Sequence, residues 1–249
     1  MSRTGGRPAR ADGMTLAERD VALESVPRWV RADLVTGDGL ADALRGVAVV
    51  VHAASAPARH TRRTDVEGTH RLLDAAHRAG VQHLLYVSIV GVDAVPLRYY
   101  AHKLAAEALV RRSPVPWSIL RSTQFFPFVD VLCRMVTRFP VAIAPRGWLA
   151  QPVDVRDVAD RIWNALAAGP GAQLPEMGGP ERLTAAELLR TWMRAKGRRV
   201  PLVELPIPGG LSRAMQSGGA TTASRSTSSI TWSDWLRMTD RADRDTERG

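Results

Sequence analysis

Short apolar segments alternate with segments of helical periodicity from residue 26 onward, and this alternation limits the possible fold more than any other feature. Strand-like composition occurs at 26–34, 46–55, 82–90 and 116–122, and helical patterns occur at 65–80, from 98 onward and at 124–138. Strands that alternate with helices of this length are typical of βαβ units, whose right-handed crossovers place helices on both faces of a parallel sheet. The sequence therefore predicts an α/β fold.

The pattern becomes looser after about residue 140. Helices are predicted at 154–169 and 184–197, and the second begins with Thr184 followed three residues later by Glu187, which is the spacing of a capping box. A short strand is predicted in "PLVELPIPGG". These features indicate a small C-terminal α+β region.

The composition of the last part of the chain changes twice. Residues 216–229, "QSGGATTASRSTSS", contain few apolar side chains and are predicted to form a flexible surface segment. Trp232 and Trp235 then return the chain to the protein before a polar tail at 238–249. We therefore divide the chain into an irregular segment 1–25, a sheet-containing domain 26–170 and a C-terminal region 171–249.

Composition excludes several classes of protein. The net charge is +9, but the arginines are spread along the chain and only Lys103 and Lys196 are lysine, which predicts a solvated basic surface and no specific nucleic-acid partner. No apolar run is long enough to span a bilayer, and the N-terminus lacks the apolar stretch of a secretory signal. The single cysteine, Cys133, excludes an internal disulfide. We expect a cytoplasmic protein without a metal site or a membrane partner.

One helix start carries a pattern of catalytic interest. In "RYYAHKLAAEALV" Tyr99 precedes Lys103 by four residues, which places both side chains on one helix face. A phenol with a pKa near 10 is a poor base at neutral pH unless a nearby cation lowers that pKa. The pair is either this arrangement or an ordinary helix start in which Tyr99 only packs. Tyr100 is a second candidate, at spacing three.

Six segments occur in the order typical of one protein family: "VVVHAAS", "DVEGTHRLLDAA", "LLYVSIVGVD", "YYAHKLAAE", "WSILRSTQF" and "QPVDVRDVAD". Over roughly residues 26 to 210 the chain resembles the short-chain dehydrogenase/reductases, and most of all their atypical, NmrA-like NAD(P)-binding branch. The resemblance implies a Rossmann-like parallel sheet with a small C-terminal region over a substrate cleft. It also implies an NAD(P)H-dependent oxidoreductase acting on a small carbonyl or alcohol. The alternative is a dinucleotide-sensing, NmrA-like regulatory protein without turnover.

The resemblance assigns catalytic roles to three residues. Tyr99 exchanges a proton with the substrate oxygen, and Lys103 lowers the pKa of Tyr99 and binds the nicotinamide ribose. Ser88, at the end of a strand, makes a hydrogen bond to the same substrate oxygen. Lys103 could also bind the ribose without any catalysis. Asp65 stands where extended members of the family often have asparagine.

The resemblance also assigns residues to the dinucleotide. Asp33 corresponds to the carboxylate that contacts the adenine amino group, although it could equally cap a loop or helix. Ala53, Ala54 and Ser55 follow a strand where the backbone passes close to the cofactor. Thr123, with Gln124, lies at the nicotinamide end.

The sequence departs from the family at its start. Members begin with a strand and a G-x-x-G-x-x-G turn whose amides hold the pyrophosphate, and no such element occurs here. The first βαβ segment, roughly 35 residues, is therefore expected to be missing. Arg3 in "MSRTGG" resembles the arginine that meets the 2′-phosphate of NADP, which favours NADP over NAD. A misassigned start is the preferred explanation, an inactive fragment is the alternative, and an exposed apolar strand edge is expected.

Overall fold

The structure is a computed structural model that describes residues 28–56, 61–224 and 228–246, with side chains as far as residue 240. The chain divides into two units after Arg31, and the described helices and strands belong to the second unit, Ala32–Gly249. Its helices are α1 Leu40–Ala43, α2 Thr69–Arg78 with a π-helical lead-in over Arg62–Gly68, α3 Arg98–Arg112, α4 Phe126–Thr137, α5 Val155–Ala168, α6 Ala185–Ala195, α7 Gly210–Gln216 and α8 Trp232–Thr246. Its strands are β1 Val49–His52, β2 His83–Ile89, β3 Trp117–Ser122, β4 Ala142–Pro145, β5 Leu149–Ala150, β6 Ala172–Gln173, β7 Leu183–Thr184 and β8 Leu202–Leu205.

The main sheet has four parallel strands in the order β1-β2-β3-β6. Strand β2 lies in its centre and places Tyr86 between His52 of β1 and Ile119 of β3. Each connection between these strands contains a helix, as parallel pairing requires. The predicted α/β fold with a parallel sheet and flanking helices is confirmed.

Helices cover both faces of this sheet. On one face Leu84, Tyr86 and Ile119 pack against α2 and α3, and on the other Leu85 and Leu120 pack against α5. Strand β1 is covered less completely. Val50 packs into the first of these cores, whereas Val49 and Val51 on the opposite face are 43% and 42% exposed.

The strand predicted at 26–34 is absent from its described part, residues 28–34. The chain turns here because the carboxylate of Asp33 accepts a hydrogen bond from the backbone N–H of Val35 at 2.6 Å. The backbone N–H of Gly37 also returns to the carbonyl of Asp33, at 2.8 Å. An aspartate that captures the amide two residues on favours a turn over a strand.

The C-terminal region is built around aromatic side chains. Phe126 of α4 contacts Trp232 and Trp235 of α8, and these two indoles are stacked with ring centroids 5.4 Å apart and planes 10° apart. Trp192 of α6 belongs to the same core and donates its indole N–H to Asp130 at 2.7 Å. The predicted anchoring role of the two tryptophans is thus confirmed, and α8 extends to Thr246, into the segment predicted to be a polar tail.

The capping box predicted at the start of α6 is present. The backbone N–H of Glu187 donates to the Thr184 hydroxyl at 3.2 Å, and the backbone N–H of Thr184 donates to the Glu187 carboxylate at 2.7 Å. Two of the backbone N–H groups at the helix start are satisfied in this way.

The segment predicted to be flexible, 216–229, packs into the protein over much of its described length. Ala220 and Thr222 are buried, with 0% and 4% exposure. Gln124 donates to the carbonyl of Ala220 at 3.0 Å, and the backbone N–H of Thr222 donates to the side chain of Gln151 at 2.9 Å. The backbone of the segment makes these contacts, and composition does not register them. Residues 225–227 lie outside the described part of the chain.

Within the described residues, no helix is long and apolar enough to cross a membrane.

Candidate active site

The carboxyl ends of β1, β2 and β3 meet at one edge of the sheet, where open α/β sheets bind their ligands. Residues 53–56 follow β1, Thr123 and Gln124 follow β3, and α3 begins nearby with Tyr99 in its first turn. Because the chain leaves three neighbouring strands at this edge, side chains that are distant in sequence come together here.

The hydroxyl of Tyr99 is held by a chain of hydrogen bonds. It lies 2.7 Å from the hydroxyl of Ser55, and Ser55 donates to the carboxylate of Asp65 at 2.6 Å. The second carboxylate oxygen of Asp65 accepts the backbone N–H of Ala56 at 3.2 Å. Asp65 is 1% exposed, whereas Tyr99 is half-buried and Ser55 is exposed. The chain therefore runs from the open edge into the interior.

Burial raises the pKa of Tyr99 above its ordinary value, the Ser55 hydrogen bond lowers it in part, and the charge of Asp65 raises it further. The protein as it stands thus favours the neutral phenol. The lowering of this pKa that the resemblance assigns to Lys103 stays a prediction.

Lys103 lies one helical turn beyond Tyr99 and is 3% exposed. Its ammonium donates to the carbonyl of Val87 at 2.8 Å and lies 4.1 Å from the centre of the Tyr86 ring. Burial lowers the pKa of Lys103 to about 8, against the opposing charges of Asp65 and Glu107. A buried ammonium beside Asp65 and below Tyr99 gives this end of the sheet a fixed positive charge at neutral pH.

Ser88 lies deeper than the resemblance implies. It is 1% exposed and sits beside the carboxylate of Glu107, two helical turns along α3 from Tyr99, although no hydrogen bond of good geometry joins the two side chains. The serine whose hydroxyl lies next to that of Tyr99 in the structure is Ser55.

Glu107 and Arg121 form a buried ion pair below the site. Arg121 donates to both carboxylate oxygens of Glu107, each at 2.8 Å, and to Asp93 at 2.8 Å. Burial would raise the pKa of Glu107, but the hydrogen bonds from Arg121 lower it below its ordinary value. This pair ties α3 to β3 and so fixes the helix that carries Tyr99 and Lys103.

A further buried pair lies under the site, between His52 and Thr69. The ring of His52 and the hydroxyl of Thr69 are 2.8 Å apart, and burial with the nearby charge of Lys103 lowers the pKa of His52 to about 3. His52 is therefore neutral at physiological pH. The hydroxyl of Tyr86, whose ring centroid lies 5.1 Å from that of His52, is buried without a hydrogen-bond partner among the described residues.

The other residues assigned from the sequence occupy different surroundings. Ala53 and Ala54 are exposed at the sheet edge beside Ser55. Thr123 is buried and donates its hydroxyl to the carbonyl of Gln151. Asp33 is exposed and caps its own turn, and Arg3 lies outside the described residues.

Sequence reasoning missed Gln151 and gave Asp65 no definite role. Gln151 is 5% exposed, accepts from Thr222 and donates to the carbonyl of Gly179 at 2.8 Å. Its signal was the segment "QPV" before α5, which was noted only as a family likeness. Asp65 lies ten residues from Ser55 in sequence, and only the fold shows that the two side chains meet.

The described residues fit one end of a dinucleotide. Small residues at 53 and 54 leave the edge of the sheet open, and Ser55, Tyr99 and Lys103 supply polar groups near this edge. A glycine-rich turn for the pyrophosphate does not occur in the ranges 28–56, 61–224 and 228–246.

Comparison with known proteins agrees with this geometry. Residues 17–127 match the family model NAD_binding_10, described as NAD(P)H-binding. No curated protein matches the sequence.

Solved structures of the same fold cover most of the chain. A nucleoside-diphosphate-sugar epimerase from Staphylococcus aureus has a TM-score of 0.66 at 15% identity, covering 83% of this chain and 82% of its own. A short-chain dehydrogenase/reductase superfamily protein from Agrobacterium tumefaciens with bound NAD has a TM-score of 0.61 at 22% identity, covering 87% and 86%. The enzyme WbmG from Bordetella bronchiseptica, in complex with NAD and UDP, has a TM-score of 0.62 at 17% identity, covering 85% and 79%. The predicted Rossmann-like fold is confirmed, and residues 17–127 are similar to NAD(P)H-binding domains.

Proposed function

We propose that this chain is an NAD(P)H-dependent oxidoreductase acting on a small carbonyl or alcohol, with Tyr99 exchanging the proton at the substrate oxygen. The observation that carries the proposal is the position of the Tyr99 hydroxyl. It lies at the carboxyl edge of the parallel sheet, 2.7 Å from Ser55 and one turn from Lys103. This edge is where the nicotinamide end of a dinucleotide would meet its substrate, so a proton donor placed here could act on that substrate.

In this proposal the bound dinucleotide supplies or accepts the hydride, and the protein manages the oxygen. Tyr99 gives its proton to a carbonyl oxygen or takes one from an alcohol, while Ser55 keeps the phenol oriented. Lys103 lies below both and favours negative charge on the developing oxygen. Ala53 and Ala54 leave room for the nicotinamide ribose, and Arg3 and Asp33 remain the candidates for the adenosine half.

The test is binding and turnover measured on the same protein. We expect the full chain to bind NADPH or NADH by calorimetry and to turn over members of a carbonyl and alcohol panel that includes nucleotide sugars. Tyr99→Phe should lower kcat by about 10²- to 10⁴-fold, the usual contribution of a positioned proton donor, and leave dinucleotide affinity within about threefold. Tyr100→Phe is the matched control, since the Tyr100 hydroxyl faces Gln124 instead of Ser55, and it should keep its activity.

A second function, dinucleotide sensing without turnover, is favoured by one observation. The pKa of Tyr99 is raised by burial and by Asp65, and a phenol in that state is a weaker acid that stays protonated at neutral pH. A protein that binds NADPH, and in which neither wild type nor Tyr99→Phe turns over any substrate of the panel, would be this sensor.

A further inference from the structure

The direction of the hydrogen bonds that join Tyr99, Ser55 and Asp65 is fixed by the carboxylate of Asp65. A carboxylate can only accept, so the bond between Ser55 and Asp65 uses the single hydroxyl proton of Ser55. The oxygen of Ser55 is then left to accept, and the contact at 2.7 Å has Tyr99 as its donor. The single phenolic proton of Tyr99 is therefore engaged with Ser55.

We infer that Tyr99 meets its substrate as a hydrogen-bond acceptor, so that the site as folded receives the hydroxyl group of an alcohol in preference to a carbonyl oxygen. This inference rests on the proposed function, and it adds Ser55 and Asp65 as the residues that set the direction. Asp65 does not touch the substrate and is a positioning residue. It acts through Ser55.

The same chain gives the proton of the alcohol a path in the oxidising direction. The C–H bond of the alcohol breaks and its hydride passes to the oxidised dinucleotide, so the alcohol loses two electrons and the dinucleotide gains them. The hydroxyl proton moves to Tyr99 as Tyr99 passes its own to Ser55, and the proton of Ser55 moves to the Asp65 carboxylate. One carbonyl product and one protonated carboxyl result, and the carboxyl later releases the proton to water.

Burial supports the positioning role of this carboxylate. Asp65 is 1% exposed, and both of its side-chain oxygens are occupied, one by Ser55 and one by the backbone N–H of Ala56. The carboxylate therefore cannot rotate away from Ser55 without breaking these two hydrogen bonds.

The test reads the phenol of Tyr99 directly, in the full chain without dinucleotide. Ultraviolet resonance Raman spectra distinguish a tyrosine hydroxyl that donates a hydrogen bond from one that accepts. The chain has three tyrosines, so the spectrum of wild type minus that of Tyr99→Phe isolates Tyr99. We expect a donor in the wild type. In Asp65→Asn, whose side-chain NH₂ can donate to Ser55, we expect Tyr99 to become an acceptor.

Asp74→Asn is the matched control, an aspartate on the same α2 helix whose side chain is 52% exposed. It should leave the Tyr99 signal as a donor. A wild-type Tyr99 that reads as an acceptor, or a signal that Asp65→Asn does not change although near-ultraviolet circular dichroism shows a folded protein, overturns the inference. Ser55→Ala is a second variant, in which the donor signal should be lost.

Kinetics separate failure of this inference from failure of the proposed function. Where turnover occurs, Asp65→Asn should lower kcat/KM for alcohol oxidation about tenfold or more, whereas Asp74→Asn should leave it nearly unchanged. An Asp65→Asn variant with unchanged kcat/KM overturns the inference and leaves the oxidoreductase intact. The protein could also turn over none of the carbonyls and alcohols, while its Tyr99 donor signal still changes in Asp65→Asn. That result would reject the oxidoreductase and keep the inferred hydrogen-bond direction.

Discussion

The ammonium of Lys103 is the residue-scale feature with the clearest consequence for stability. Its pKa is near 10.5 in an unfolded chain and about 8 in the folded protein, because burial disfavours the charged form. Between these two pH values the unfolded chain holds a proton that the folded chain has lost, so the free energy of unfolding rises with pH. Over the whole interval the free energy of unfolding is expected to rise by about 3 kcal/mol.

Lys103→Met is therefore expected to remove most of this rise. Urea denaturation at about pH 7 and about pH 10 would give the free energy of unfolding of wild type and variant. Lys196→Met provides the control, because Lys196 is the only other lysine in the chain and pairs with Asp240 away from the sheet edge. An equal flattening in both variants would contradict the assignment to Lys103.

At the residue scale the sequence predicted part of the candidate site. Spacing alone placed Tyr99 and Lys103 on one helix face, because helical geometry is local. The contact of Ser55 with Tyr99 and the depth of Ser88 could not be predicted in the same way. Ser88 shares a strand face with Leu84 and Tyr86, which packs against α3. The residue of α3 that Ser88 meets depends on how the helix packs on the sheet, and in the structure it is Glu107.

At the scale of elements, two glycines show how closely the C-terminal segment approaches the sheet. Gly91, in the turn after β2, has φ +86°, and a Cβ there would lie 2.0 Å from the carbonyl oxygen of Gly219. Gly80 has a similar φ of +72°, but a Cβ there would meet nothing within 4 Å. Replacing either glycine by alanine places a side chain at a positive φ, but only at Gly91 does the added Cβ also meet another atom.

We expect Gly91→Ala to be less stable than Gly80→Ala by about 1–3 kcal/mol, the usual cost of forcing an extra methyl into packed structure. Thermal and urea unfolding of both variants would measure the difference. Equal losses in the two variants would mean that Gly219 moves aside freely, and that the segment is as loosely held as its composition had indicated.

The elements also show where composition misleads. The segment at 216–229 is poor in apolar side chains, yet its backbone carbonyls and amides bond to Gln124 and Gln151. The segment at 26–34 is rich in apolar side chains, but Asp33 turns its described part. In both cases hydrogen bonds to the backbone decided the structure, and hydrophobic patterns do not report them.

For the whole molecule, the open face of β1 is the main departure from a covered sheet. Among the described strands β1 pairs only with β2, and its Val49 and Val51 are exposed side by side on one face. Exposed apolar edge strands are sites of intermolecular pairing. The apolar edge expected from the sequence is thus present in the described residues.

Val51→Lys is expected to slow aggregation at high protein concentration, followed by light scattering, and to change the free energy of unfolding by less than about 1 kcal/mol. Val50→Lys serves as the comparison, because Val50 packs into the core and a buried charge there should destabilise the fold. Unchanged aggregation of Val51→Lys would show that this face is not the route of association.

The fold class was predictable because it depends on the order of many segments, and errors in one segment do not change that order. Four parallel strands with intervening helices emerged although one predicted strand was wrong. The C-terminal region was less predictable, since its two-stranded pairings, β4 with β8 and β5 with β7, join segments that are far apart in sequence and have no local signature.

The stacked indoles of Trp232 and Trp235 give this protein an optical signature of its own. Two indoles at 5.4 Å with nearly parallel planes have coupled electronic transitions, which should produce a paired band in circular dichroism. Both belong to α8 and contact Phe126 at the start of α4, the helix that follows Thr123 and Gln124. A ligand that displaces the start of α4 would change this band without any added label, so the protein carries its own reporter of occupancy.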